Sequence, residues 1–249
     1  MSHKSGDADN HKTEQSVIPT SCWGSGVSAD AKLIEKNLLG IKEEFAHCKL
    51  RIIGVTKYFG LNAIVEGYNA GLRDFGESRA LEAVEKINQL PLDVREGSRF
   101  HFIGHLQTNK ADLVVRHFDY IHSVDSLKLA KVISKAACSL NKREKVLLQV
   151  NNSGETQKFG YSKNSLMADL PEIKLLEGIE LVGLMNMAPL DADELELRKL
   201  FCDLREFRDE LEKKFELKLP ELSMGMSNDY RIAVQEGATM IRIGRKLFK

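Results

Sequence analysis

The feature that most constrains this chain is an alternation that runs from Asp30 to the C-terminus. Short apolar runs are separated by amphipathic segments with helical spacing. The runs read as strands at residues 52–56, 73–75, 100–103, 120–122, 146–150 and 181–184, at a short stretch near Leu222, and at 240–243. The first of them is nearly continuous in β-branched residues (Ile52, Ile53, Val55, Thr56). That pattern suits a parallel strand covered on both faces rather than a half-exposed one. A leading helix spans residues 30–47, and further helices are expected at 62–70, 80–89, 110–116, 127–140, from near Asn164, at 195–215 and at 229–236. In the 195–215 segment Leu197, Leu200, Phe201, Leu204, Phe207, Leu211 and Phe215 share one face, as core packing requires. Gly71 and Gly237 stand where helix ends favour a residue tolerant of positive φ.

Eight strands alternating with helices give an α/β fold, a single-domain (β/α)8 TIM-type barrel with a leading N-terminal helix. The length of 249 residues matches the roughly 250 such a barrel needs. The competing open doubly wound sheet usually has fewer strands and a glycine-rich phosphate turn, and neither GxGxxG nor GxxxxGK[ST] occurs. Residues 1–28, which contain Trp23, are polar and aperiodic and read as a disordered tail; residues 29–249 form the barrel.

Lys+Arg and Asp+Glu both number 36. This balance argues against nucleic acid or an anionic membrane as the main partner. Cys22, Cys48, Cys138 and Cys202 lie far apart, in no metal-ligand spacing, and read as free thiols of a reducing compartment. No apolar run has the length of a membrane span and no signal-peptide h-region is present, so the cytoplasm is the expected location.

In a TIM-type barrel the chemistry collects at the C-terminal ends of the strands. Those positions hold Lys57, then Gly76-Glu77-Ser78, His101 to His105, Asp125, Asn151 and Asn152, Met185-Asn186, Ser223 to Ser227, and Arg242 to Arg245. Lys57 has two readings: a strand-end lysine that reaches solvent, or an amine that forms a Schiff base with a carbonyl cofactor. The last two segments suit a phosphate. Ser227 precedes a helix and reads as its N-cap, with nearby amides available to an anion, and Gly244 permits close backbone approach. Arg242 is either a strand-end ion pair or part of that site. The spacing of His101 and His105 would put two metal ligands on one face only in a helix, and here it spans strand and loop, so no metal site is expected. Asp125 and Ser126 read as caps of the following helix, and Lys110 as a solvated helix start. No nucleophile elbow GxSxG is present.

Gly54-Val-Thr-Lys57, Phe75-Gly-Glu-Ser78, His101-Phe-Ile-Gly-His-Leu-Gln-Thr-Asn-Lys110, Gly183-Leu-Met185, Leu222-Ser-Met-Gly-Met-Ser227 and Ile241-Arg-Ile-Gly244 resemble the pyridoxal phosphate homeostasis proteins. The resemblance runs in order from about residue 30 to the end. It implies a barrel like the N-terminal domain of alanine racemase, with pyridoxal 5′-phosphate (PLP) held as a Schiff base on Lys57. By position, Met226, Ser227 and the backbone at Gly244 and Arg245 would lie on the phosphate side. Arg242 would face the pyridine nitrogen, and His101 and Ser78 would line the ring. Many relatives carry Asn at the Ser78 position and a small residue at the Arg245 position. The implied function is intracellular PLP (vitamin B6) homeostasis, with the cofactor exchanged with amino or keto acids or apo PLP enzymes; a monomer is expected, apart from what the resemblance implies. A PLP-dependent amino-acid racemase is the alternative. Against turnover, a two-base racemase uses a tyrosine and a separate domain. Only Tyr58 and Tyr161 are expected near the mouth, and no catalytic residue is assigned.

Overall fold

The computed structural model describes residues 30–153 and 159–249. The tail read at residues 1–28, with Cys22 and Trp23, lies outside them. Eight parallel strands close into a barrel in sequence order, β1 pairing with β8. They are β1 (Arg51–Val55), β2 (Asp74–Glu77), β3 (Arg99–Phe102), β4 (Tyr120–Val124), β5 (Glu144–Gln149), β6 (Ile179–Met185), β7 (Glu221–Met226) and β8 (Met240–Ile243). The expected fold is therefore the observed one, and every expected strand is present. The stretch near Leu222 is longer than read, because Gly225 takes a φ of +90° and lets β7 continue to Met226.

The helices are α1 (Ala31–Glu44), α2 (Leu61–Asn69), α3 (Ala80–Asn88), α4 (Leu92–Glu96), α5 (Ala111–His117), α6 (Leu127–Ser139), α7 (Lys163–Ile173), α8 (Glu194–Phe215), α9 (Tyr230–Gln235) and α10 (Arg245–Phe248). Asp30 caps α1 by accepting from Lys32 N at 2.9 Å. A capping box starts α8: Glu196 N donates to Asp193 Oδ1 and Asp193 N donates to Glu196 Oε2, at 2.9 and 3.0 Å. Its apolar stripe of Leu197, Phe201, Leu204, Phe207 and Leu211 is buried against the barrel, as its spacing requires. Gly71 and Gly237, with φ of +87° and +98°, follow the ends of α2 and α9. Two short helices were not legible. Between Pro91 and Gly97, α4 buries only Val94, too little to register as a stripe. The four residues of α10 bury Leu247 and Phe248 behind Gly244, where the sequence suggested only a phosphate turn.

The main core lies between the barrel and its helices. Inside the barrel a smaller apolar cluster, Ile53, Tyr120, Leu147, Val182, Met185 and Met240, fills part of the space. The rest of the interior is polar. At the N-terminal base, Arg99 grips Asp74 through Nε to Oδ1 and Nη2 to Oδ2 at 2.8 and 2.7 Å. Arg51 lies 3.9 Å from Asp74 and 3.6 Å from Glu221. This girdle ties the starts of β1, β2, β3 and β7.

Closure leaves no space between β6 and β7 at Gly183, where an added Cβ would stand 1.8 Å from the Glu221 carbonyl oxygen. Gly183→Ala is expected to lower stability by about 1–3 kcal/mol, the range for forced overpacking. The exposed Glu180→Ala on the same strand is expected to stay within about 0.5 kcal/mol of the parent. Urea unfolding of the two variants measures the difference.

Candidate functional site

Lys57 lies in the turn that leaves β1, partly exposed, with its ammonium 5.0 Å from the Tyr58 ring. Among the described residues it has no carboxylate partner at ion-pair distance. Its neighbour Thr56 is wholly buried and clamped. Lys86 of α3 donates to the Thr56 carbonyl at 3.0 Å and to Glu77 Oε1 at 2.8 Å, and Thr56 Oγ1 donates to the same Glu77 oxygen at 2.8 Å. The Lys86 and Glu77 side chains are 5% and 1% exposed. A buried pair of this kind stabilises only when its remaining polar groups are satisfied, and Thr56 does that here. The triad fixes the end of β1 against β2 and so sets where Lys57 emerges.

Across the mouth, Ser227 and Gly244 meet. Gly244 N donates to Ser227 Oγ at 3.3 Å. The expectation that Ser227 caps the following helix is corrected: the residue before α9 is Asp229, and Asp229 Oδ1 accepts instead from Met226 N at 2.5 Å. Burial pushes the Asp229 carboxyl up from its ordinary range, while the Met226 amide opposes that shift. Asp229 thus folds the Met226-Ser227-Asn228 loop back on itself and leaves the Ser227 hydroxyl facing the β8 end. Arg245 is exposed.

Arg242 is buried, on β8. Its Nη1 donates to Ser223 Oγ at 2.7 Å and its Nη2 to the Asn186 carbonyl at 2.8 Å. It is not the strand-end ion pair that the sequence left open: among the described residues no carboxylate lies within ion-pair distance. Burial lowers its pKa to about 10, which leaves it charged at neutral pH. A second buried group behind it is Asn186, whose Nδ2 donates to Asn152 Oδ1 at 3.2 Å. Asn152 in turn donates to Asp203 of α8 at 2.9 Å.

His101 is not brought to the mouth. It is fully buried inside the barrel, stacked on Tyr120 with ring centroids 4.5 Å apart, and both nitrogens are engaged, by Asp74 and by His122. The ring-lining position inferred for it is corrected accordingly: His122 and Ser223 stand between it and Arg242. His105 goes elsewhere, pairing with Asp125 at 3.2 Å and stacking on Phe159 at 3.7 Å. The two histidines therefore do not converge. Ser126, not Asp125, caps α6 by accepting from Leu129 N at 3.3 Å. Ser78 follows β2 and lies beside Gly104, where a Cβ would stand 2.2 Å from the Ser78 carbonyl oxygen, so that corner is closed by backbone. Lys110 ends a single 3-10 turn, Thr108–Lys110. Tyr58 is 74% exposed and Tyr161 is buried.

Among the described residues the mouth therefore combines a lysine and a buried arginine, neither with a carboxylate at ion-pair distance, and a hydroxyl set against a glycine amide. That set fits a molecule bearing both an aldehyde and a phosphate. Residues 29–249 match the profile of the alanine racemase N-terminal domain family. A pyridoxal phosphate homeostasis protein of Synechocystis is 41% identical over 199 residues, which are 80% of this chain and 90% of that protein. The chain belongs to this family of pyridoxal phosphate homeostasis proteins. PipY of Synechococcus elongatus, solved with PLP bound, superposes with a TM-score of 0.80 at 39% identity, covering 87% of this chain and 100% of that one. Alanine racemase of Clostridium difficile shares the fold alone, with a TM-score of 0.73 at 17% identity over 88% of this chain and 57% of its own.

Within the family frame, sequence reasoning missed Lys86, His122 and Asp229 as groups that shape the site. Lys86 carried a signal: it falls inside the buried stripe of Ala83, Val84 and Ile87 on α3. His122 likewise interrupts a strand that is buried at every position. Removing one member of the buried pair leaves the other charge uncompensated. Lys86→Met is expected to cost about 3–5 kcal/mol. The double variant Lys86→Met, Glu77→Leu is expected to recover most of it, as a thermodynamic cycle by guanidinium unfolding would show.

Proposed function

We propose that this chain binds PLP through Lys57 and hands it to acceptors without turnover of its own. The observation that carries the reading is the pairing of Lys57, clear of any acidic partner among the described residues, with a Ser227–Gly244 contact and the buried Arg242 cation at the same mouth. The bound PLP of PipY and the names of the curated relatives support it. Lys57 would bond the aldehyde carbon. Ser227 and the Gly244 and Arg245 amides would hold the phosphate, with Met226 alongside, and Arg242 would stand at the pyridine nitrogen. Ser78 remains a candidate for the ring side.

When bound, PLP supplies an electrophilic carbon and an aromatic electron sink. Arg242 restrains the second. A cation there disfavours a proton on the ring nitrogen, and the neutral ring withdraws electrons weakly. The Lys57 side is only partly buried, which suits exchange with amines. The proposal extends to a monomer in the cytoplasm, with amino or keto acids or apo PLP enzymes as recipients. Cys48, Cys138 and Cys202 are unpaired, as a reducing compartment leaves them.

After incubation with PLP and reduction by borohydride, peptide mass spectrometry is expected to find the cofactor on Lys57 alone. A Lys57→Ala protein labelled to the same extent contradicts the assignment. Ser227→Ala is expected to weaken PLP binding by about 1.5–3 kcal/mol, the value of a hydrogen bond to a charged acceptor. Because Ser227 caps no helix, the unfolding midpoint of the PLP-free variant is expected to be nearly unchanged; equilibrium titration and thermal unfolding read the two effects separately.

A further inference from the structure

A continuous line of buried polar groups crosses the barrel interior from the base to Arg242. Arg242 Nη1 lies 2.7 Å from Ser223 Oγ, and Ser223 Oγ lies 2.9 Å from His122 Nδ1. His122 Nε2 lies 2.9 Å from His101 Nδ1, and His101 Nε2 lies 2.9 Å from Asp74 Oδ1. His101, His122 and Ser223 are all 0% exposed. Asp74 is at the base, where it borders a cavity of about 460 Å³ together with Arg51 and Arg99.

The two ends of this line are chemically opposite. A guanidinium has only donors and a carboxylate only acceptors. Between them, each neutral imidazole accepts once and donates once, and the hydroxyl donates once. If every link is made, the protons have one possible order. Arg242 donates to Ser223, Ser223 to His122 Nδ1, His122 Nε2–H to His101 Nδ1, and His101 Nε2–H to Asp74. We propose that Ser223, His122, His101 and Asp74 form a one-way hydrogen-bond chain that holds the Arg242 guanidinium aimed at the mouth. They are positioning residues, since they act through Arg242. The inference about Arg242's effect on the cofactor rests on the proposed function; the proton order does not.

An extra proton would break the chain. A proton on His101 Nδ1 would face the His122 Nε2–H, and one on His122 Nδ1 would deprive the Ser223 hydroxyl of its acceptor. The surrounding charges act in the same sense. Burial lowers both imidazole pKa values, and His122 also faces His101, Arg242 and Arg51. Around His101 the opposing influence comes from Asp74 and Asp119, with Arg51 adding to the lowering and Tyr120 stacked on the ring. Burial raises the Asp74 carboxyl, but Arg99 and His101 outweigh it and hold the group well below the usual carboxylate range. These directions favour neutral imidazoles beside an ionised Asp74, as the proton order requires.

The test uses the full chain, labelled with nitrogen-15 and free of PLP. Long-range proton–nitrogen NMR of the imidazoles, assigned with His101→Gln and His122→Gln, is expected to find both rings neutral and protonated at Nε2 from about pH 5.5 to about pH 8. Either ring doubly protonated in that range, or protonated at Nδ1, overturns the chain. Where a glutamine variant fails to fold, Ser223→Ala supplies the assignment by moving only the His122 Nδ1 signal. The link to Arg242 is read in the PLP-loaded protein. Ser223→Ala is expected to move the pH midpoint of the bound cofactor's visible absorption by about one unit or more, and Ser223→Thr, which keeps the hydroxyl, to restore it. Equal midpoints for the two variants overturn that link. A protein with both Nε2–H rings that never bonds PLP contradicts the proposed function and leaves the proton order standing.

Discussion

The structure depends on one expensive choice: a buried arginine on β8 that hydrogen-bonds only neutral groups among the described residues, with the Asp229 carboxylate acting on it through charge from beyond ion-pair distance. An isolated cation inside a protein is tolerated only when its hydrogen bonds are made. Here they are made by neutral groups, the Ser223 hydroxyl and the Asn186 carbonyl. A carboxylate beside Arg242 would have cancelled its charge. Neutral partners keep that charge available to whatever enters the mouth. The rest of the barrel interior follows from this. The polar groups that satisfy Arg242 need partners of their own, and the requirement passes through His122 and His101 until it reaches Asp74, where Arg99 and Arg51 at the base resolve it.

Around that line the fold provides two rigid supports and one open edge. On the β1 side, the Lys86–Glu77–Thr56 triad pins the strand end from outside the barrel. On the β7–β8 side, Asp229 folds its loop so that Ser227 meets Gly244. Lys57 sits on the open edge between them, in a turn. A covalent but exchangeable hold on a cofactor suits such a position, because the amine is anchored by its backbone while its head stays within reach of other amines. On the proposed function such a site would be preorganised for grip, and Arg242 at the ring would restrain carbanion chemistry.

Most of the fold was legible in the sequence, because parallel strands covered on both faces leave continuous apolar runs and the helices between them leave periodic stripes. The placement of Lys57, Ser227, Arg242 and Gly244 at or just past strand ends was legible for a related reason: strand ends are marked by where those runs stop. What crosses the barrel was not. Contacts such as His122 with Ser223, or Lys86 with Glu77, depend on which residues of a closed sheet point inward at one height, and a linear pattern does not carry that register. His101 shows the cost. It is close in sequence to a mouth loop, yet its ring turns into the buried barrel interior, and its hydrogen-bond path to Arg242 passes through two further side chains. Ser227 shows the converse. Its place before a helix suggested a cap, while Asp229 two residues on took the loop amide and freed the hydroxyl for Gly244.

The central claim is that this mouth holds PLP firmly and leaves substrate carbon chemistry alone. It is tested most directly by incubating the PLP-loaded protein with single L- and D-amino acids in deuterated water and following the α-proton signal by NMR. The account predicts exchange no faster than with free PLP at the same concentration. Rapid α-proton exchange with any amino acid, lost in Lys57→Ala, would contradict it and make the protein an enzyme.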